Sequence, residues 1–389
     1  MKLNNCNKNN SKDYPKLSLK LMSLFMLTIL LSVSFQNCAN TISNNVRKNE
    51  QTIHKMISKI DTTINSEYIY QYEKTKYVPT EDKTLLILGQ SLTNINDYRA
   101  FTNYKNYPGG WSAYWAVTEF AGFSSKWTTI SGDTQYHGFL ASKFDNMVMH
   151  SAMWMVGKWG VAKKTINGEY DHIIKKYSDW AKSINKPIYL RLGYEFDGPH
   201  NEFEPSEYVA AYKHIVDLMR SEGVKNVAYV WHSYAAPTYK SYPLSEWYPG
   251  DDYVDWVGIS VFFQPYDDIF NHKETNVVLD FAKTIKKPVM IAESNPVLGI
   301  NSNDKDIWDK WFVDFFSFCY SRNIKAIAFI NEDWNRLRID GIEDWGDSKL
   351  YNNENVGKAW LEETNKPRYL KQSATLFEQL GYTKQKNND

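Results

Sequence analysis

The chain has 389 residues, enough for one large domain or two ordinary ones. Lysine plus arginine equals aspartate plus glutamate at 45 each, so no overall field draws in nucleic acid or an anionic membrane. The 14 Trp, 27 Tyr and 19 Phe supply a large core and leave a surplus of rings suited to stacking on the apolar faces of sugars.

At the amino terminus, Lys12, Lys16 and Lys20 precede an apolar run from Leu21 to Phe35. That run has the length of a signal-peptide core and is too short to span a bilayer comfortably. Residues 1–39 therefore read as an export signal, with cleavage near Gln36-Asn37-Cys38-Ala39. Cys38 reads as a lipid attachment point; an ordinary signal peptide or an uncleaved anchor is the alternative. The protein is expected outside the cytoplasm, secreted or held by Cys38 at the cell surface or in the periplasm. Cys6 and Cys319 complete the cysteines, so no disulfide framework and no zinc or iron–sulfur spacing is available. Neither a metal nor an organic cofactor is expected.

Residues 40–83 are polar and read as a tether, with one helix around Glu50 to Ile64. The domain, residues 84–380, starts at Thr84-Leu-Leu-Ile-Leu88, an apolar run closed by Gly89-Gln90. Further strands are predicted at Asn146 to Met155, Pro187 to Tyr194, Asn226 to Trp231, Asp255 to Val261, Pro288 to Glu293 and Ala326 to Ile330. One more is needed between Gly110 and Ile130. Helical patterns cover Tyr170 to Ile184, Ser206 to Glu222, Thr275 to Ile285 and Lys305 to Arg322. Strands recurring roughly every 30 to 40 residues with helices between them give parallel strand–helix units. Eight such units closing on themselves make a (β/α)8 barrel.

Two carboxylates stand at predicted strand ends, Glu195 in Arg191-Leu-Gly-Tyr-Glu195 and Glu293 in Lys287-Pro-Val-Met-Ile-Ala-Glu293. Either one alone reads more readily as a structural ion-pair or hydrogen-bond partner. Together, about three strand–helix units apart, they converge on the barrel face where strand ends meet. Such a pair cleaves glycosidic bonds. Glu195 is expected as acid/base and Glu293 as nucleophile, with Arg191 reaching across to keep Glu293 ionised. Retention of configuration requires their carboxyl groups ~5–5.5 Å apart. Candidate contacts to the sugar are Gln90, Tyr194, Trp231, His232, Phe262 and Trp334. Trp154, Trp159 and the aromatic stretch from Tyr107 to Trp115 are candidates for outer subsites. The expected partner is a polysaccharide or oligosaccharide, and the expected state a monomer.

Arg191-x-x-x-Glu195, Tyr208-x-x-Ala-Tyr212, Val230-Trp231, Tyr248-Pro-Gly-Asp-Asp252, Val254-Asp-Trp-Val-Gly258 and Lys287-Pro-Val-x-Ile-Ala-Glu293 resemble glycoside hydrolase family 26. The resemblance spans roughly residues 84–340 and implies a retaining β-glycanase of β-mannanase kind with these two glutamates in these roles. The chain departs from the family pattern at three places. Tyr194 stands where a His precedes the acid/base, and Asp197 where an Asn is common. Phe262 or Phe263 stands where a Tyr at the sixth strand end bonds the nucleophile, which leaves Tyr194 or Tyr266 for that bond. Other linkages, β-xylan or β-1,3-glucan, stay open, as do a non-catalytic surface barrel that only binds glycan and an adhesin that binds protein.

Overall fold

The computed structural model describes residues 41–384 apart from 81, 239–241, 266, 302, 340 and 343. The expected signal segment, Cys38 and Tyr266 lie outside the described residues. The chain divides at residue 55. Residues 41–55 are helical, and the remainder from Met56 holds the barrel.

Eight parallel strands close into a ring: β1 Thr84–Gln90, β2 Gly110–Ala116, β3 Val148–Trp154, β4 Ile188–Leu192, β5 Val227–Ser233, β6 Trp256–Val261, β7 Val289–Ser294 and β8 Ala326–Phe329. Each pairs with its successor, and β1 pairs with β8 through Leu85–Ala326 to Leu88–Phe329. The fold is thus the (β/α)8 barrel expected from the repeat of strands and helices. A short strand, Tyr369–Leu370, also pairs with the start of β1.

Helices cover the outer face in the usual way, by burying one side each. Helix Asp171–Ile184 buries Ile173, Ile174, Tyr177 and Ala181, and helix Pro205–Ser221, opened by a proline at its first turn, buries Tyr208, Tyr212, Ile215 and Met219. The strand missing from the aromatic-rich stretch is β2. Trp115 faces outward and stacks on Tyr177 at 4.3 Å, while Ser112 and Tyr114 alternate to the inside. This strand reads inverted, apolar outside and polar within, because its inner face belongs to the barrel mouth.

Leu85, Ile87, Val148, Tyr189, Ala228, Val230, Trp256, Met290, Ala292, Ala326 and Ala328 fill the barrel together with Tyr77, Phe377 and Leu380. Tyr77 shows that the last part of the stretch read as a tether packs into the barrel. Residues 70–77 run under the strand starts and satisfy their carbonyls. Tyr70 donates to Lys287 O at 2.9 Å, Lys76 to Val227 O at 2.8 Å and Tyr77 to Lys225 O at 3.1 Å. Tyr189 and Trp256 donate back to the carbonyls of Tyr77 and Lys76. The segment is polar because it works through hydrogen bonds rather than burial, which is why composition alone disguised it.

Candidate active site

The mouth of the barrel, at the carboxyl ends of the strands, gathers both glutamates. Glu293 arrives there by a break in strand alternation. Met290 and Ala292 of β7 face the barrel interior, so simple alternation would turn Glu293 outward. Pairing with β6 runs Ile259 to Ile291 and then Ser260 to Glu293, which places one extra residue in β7. That bulge re-aims Glu293 into the barrel opposite Ser260.

Glu195 arrives by a different device. β4 ends at Leu192, and the chain turns through Gly193 and Glu195, both left-handed at φ +54. The glycine suits this conformation, and the glutamate adopts it at a cost of about 1 kcal/mol or more. Asn201 Nδ2 donates to the carbonyls of Tyr194 and Glu195 at 2.9 and 2.8 Å and holds the turn. Glu195 therefore points inward through a fixed turn, and not by continuing the period of the strand.

Glu293 Oε1 accepts hydrogen bonds from Arg191 Nη1 and from the hydroxyl of Tyr114. Burial is the largest influence on this carboxyl and pushes it up; the Arg191 guanidinium pulls it back, Glu195 adds to the rise, and the Tyr114 hydroxyl lowers it. Arg191 is itself fully buried, with the rings of Tyr114 and Tyr194 at 5.0 and 5.4 Å from its guanidinium. Tyr114 and Tyr194 meet edge to face at 5.3 Å. Glu195 Oε1 accepts from Ser260 at 2.5 Å, and Oε2 lies 3.0 Å from His200 Nε2. Each carboxyl thus has its own set of hydrogen-bonding partners.

The other expected contacts divide. Phe262 lies beside Trp345 at 4.7 Å and helps line a cleft of about 470 Å³ with Tyr234, Ser260, Phe263 and His272. Trp334 is only 6 % exposed and sits edge-on to Trp345 at 5.0 Å, so Trp345 is the ring that faces the cleft. Trp231 is 0 % exposed, stacked on Phe196 at 4.5 Å outside the barrel. The alternation that turns His232 inward turns Trp231 away, which corrects its place among sugar contacts. His232 is also fully buried, between Arg191 at 3.4 Å and Ser260 at 3.0 Å. It holds side chains and not a sugar hydroxyl. Gln90 is buried, and its backbone N–H donates to Asn94 while its carbonyl accepts from Gln135.

Ser260 and His200 were not among the residues singled out from the sequence, and Tyr114 entered only within the aromatic stretch offered for outer subsites. Tyr114 makes the bond that the resemblance assigned to a residue at the end of β6. A strict inward–outward count of β2 would have found it, and the parity of Ser260 with Trp256 would have found the serine. His200 sits in a loop with no periodic signal. A third buried carboxyl, Glu332 beyond β8, is pushed up to about 7 by burial against the pull of Arg336. It already accepts from Asn94 at 2.7 Å, Asp333 N at 2.9 Å and Arg336 Nε at 2.7 Å, and that full set of partners makes it a structural anchor.

Asp197 ties the loop that carries Glu195 to β5 by accepting from Ser233 and from Tyr234 N, both at 2.6 Å. Burial lifts its carboxyl to about 6, against those two donors. A folded value above the unfolded one means that its contribution favours the fold at acid pH and is lost as pH rises through about 6. Asp197→Asn removes that loss. The stability difference, variant minus wild type, should therefore grow in the variant's favour between pH 5 and pH 8, as read by urea midpoints. An unchanged difference would rule out a buried titrating carboxyl here.

Comparison with known proteins agrees with the barrel fold. The sequence profile of Glycosyl hydrolase family 26 matches residues 106–353. A β-1,3-xylanase, TXYA, of a Vibrio species is 29% identical over 333 residues, covering 79% of this chain and 70% of its own. A β-1,3-xylanase of an Alcaligenes species is 28% identical over 334 residues, covering 79% and 68%. Among solved structures, a modular endo-β-1,4-mannanase of Cellulomonas fimi aligns with TM-score 0.52 at 13% identity, covering 78% of each chain. GH26C of Muricauda aligns with TM-score 0.53 at 15% identity, covering 78% and 91%; at such identities the likeness is one of fold. Family profile, relatives and barrel concur: the chain belongs to glycosyl hydrolase family 26 and is a hydrolase of O-glycosyl bonds.

Proposed function

We propose that the protein is an exported, retaining β-glycanase whose polymer is β-1,3-xylan. The observation that carries the mechanism is the unequal setting of the two carboxyls. Arg191 and Tyr114 both donate to Glu293 Oε1, which favours the ionised form that attacks an anomeric carbon. Glu195, held by Ser260 and by His200, is the acid that protonates the departing oxygen. A covalent glycosyl–Glu293 forms, and Glu195 then takes a proton from the water that releases the sugar. Donors fixed before reaction cost no reorganisation when charge develops.

The choice of polymer rests on the two β-1,3-xylanases, each similar over four-fifths of the chain. Tyr194, Asp197 and the phenylalanines after β6 depart from the mannanase pattern, which weighs against mannan. Residues 1–39 would direct export, and mass spectrometry of the mature amino terminus distinguishes simple cleavage from lipid on Cys38.

The test is reducing-sugar release by residues 40–389 from β-1,3-xylan, β-1,4-xylan, mannan, glucomannan and β-1,3-glucan. Release from β-1,3-xylan, absent in Glu195→Gln and Glu293→Gln, is the expected result. Preference for mannan would overturn the polymer. Binding without any release would make the barrel a capture protein.

A further inference from the structure

The direction of one hydrogen-bond chain decides which oxygen of Glu195 carries the catalytic proton. Arg191 Nη1 bonds both Glu293 Oε1 and, at 3.4 Å, His232 Nδ1. A guanidinium only donates, so His232 Nδ1 accepts and its single proton lies on Nε2. Burial and the Arg191 charge hold His232 in this neutral form. Nε2–H then donates to Ser260 Oγ at 3.0 Å, and the one serine proton goes to Glu195 Oε1 at 2.5 Å. The arginine at its head fixes the His232 tautomer, and the serine proton is directed at Oε1. Oε1 is therefore an acceptor throughout, and a proton on Glu195 resides on Oε2.

Oε2 faces His200 Nε2 at 3.0 Å. Asn201 Nδ2 also lies 3.2 Å from that nitrogen, but its two hydrogens are taken by the carbonyls of Tyr194 and Glu195. The loop is shaped for this contact. Gly198 N donates to Glu195 O at 2.8 Å and closes the turn, and a Cβ at position 198 would stand 2.5 Å from His200 Cε1. His200 is also 48 % exposed, so it joins a buried carboxyl to solvent. The other groups facing it are Glu293 and Asp197, the neutral His232, and Tyr234, edge-on at 5.5 Å.

We propose that His200 is the proton-sharing partner of the acid/base, so that Glu195 Oε2 and His200 Nε2 hold one proton between them. The inference rests on the reading of Glu195 as acid/base. In the first step the proton leaves Oε2 for the glycosidic oxygen as that bond to the anomeric carbon breaks and the bond to Glu293 forms. In the second, water oxygen bonds the anomeric carbon, the Glu293 ester breaks, and the water proton returns to Oε2. Between turnovers the pair keeps its proton to higher pH than a lone carboxyl would, because the last proton to leave is shared by two bases.

Two measurements test this on residues 40–389. The pH dependence of kcat/KM on β-1,3-xylan oligosaccharides is compared for wild type and His200→Gln. The alkaline limb should fall by about one pH unit or more in the variant while the acid limb stays. An alkaline limb that stays or moves up would overturn the proposal, because His200 would then be a bystander or a plain cation. Ring 15N NMR of His200 needs no substrate, and its titration midpoint should drop in Glu195→Gln. An unchanged midpoint would also overturn the shared proton. Full activity in Glu195→Gln, by contrast, would overturn Glu195 as acid/base and not the pairing.

Discussion

Glu293→Ala is expected to lower kcat on the order of 10⁴-fold or more, and sodium azide is expected to restore turnover with inverted configuration at the anomeric carbon. The alanine leaves Arg191 Nη1 and the Tyr114 hydroxyl without the oxygen they share. A small anion fits the space between those two donors and is drawn by the guanidinium. Azide then attacks the anomeric carbon where the carboxylate did, and Glu195 still protonates the leaving oxygen. One displacement replaces two, so the product is the glycosyl azide of opposite configuration. Proton NMR of the product reads this directly. Undiminished activity, or rescue with retained configuration, would remove Glu293 from the nucleophile's place.

Arg191→Met should cost stability and activity together, and both in a pH-dependent way. Breaking a buried ion pair from one side typically destabilises by about 3–5 kcal/mol, because the remaining charge has no partner. Burial already pushes the Glu293 carboxyl up, with Arg191 opposing. Removing the guanidinium raises it further. A carboxyl whose folded value lies above its unfolded one favours folding below the unfolded value, and that contribution is lost as pH rises through the folded one. The gap in urea midpoint between wild type and variant should therefore widen from pH 5 to pH 8. The acid limb of kcat/KM should move up in parallel, since the nucleophile ionises later. Arg191→Met with Glu293→Gln should recover much of the stability and none of the activity. A gap of equal size at both pH values would mean that Arg191 supports the fold by packing and not by its charge.

The barrel was legible because buried parallel strands are continuous apolar runs, and seven of the eight announce themselves that way. β2 did not, since its outward side chains are Trp111, Ala113 and Trp115 and its inward ones are Ser112 and Tyr114. The strand carries the polarity of the mouth into its own pattern. The two glutamates were legible as strand-end carboxylates, yet neither obeys strand alternation. Glu293 needs the β7 bulge and Glu195 needs a left-handed turn, and register and backbone twist have no signature in composition. Trp231 and His232 are adjacent residues, so pattern alone offered both, and only one faces inward. Residues 70–77 read as a linker because hydrogen bonds to strand-start carbonyls leave no apolar trace.

Tyr114 holds Glu293 from β2, on the far wall from where the family resemblance placed that duty. The segment that follows Val261 is thereby released from it. Phe262 and Phe263 contribute rings to the cleft and no bond to either glutamate. Natural variation, or a designer, can therefore reshape this stretch for a polymer of different curvature while the reactive centre stays intact. A barrel arranged in this way separates the evolution of what it cuts from the evolution of how it cuts.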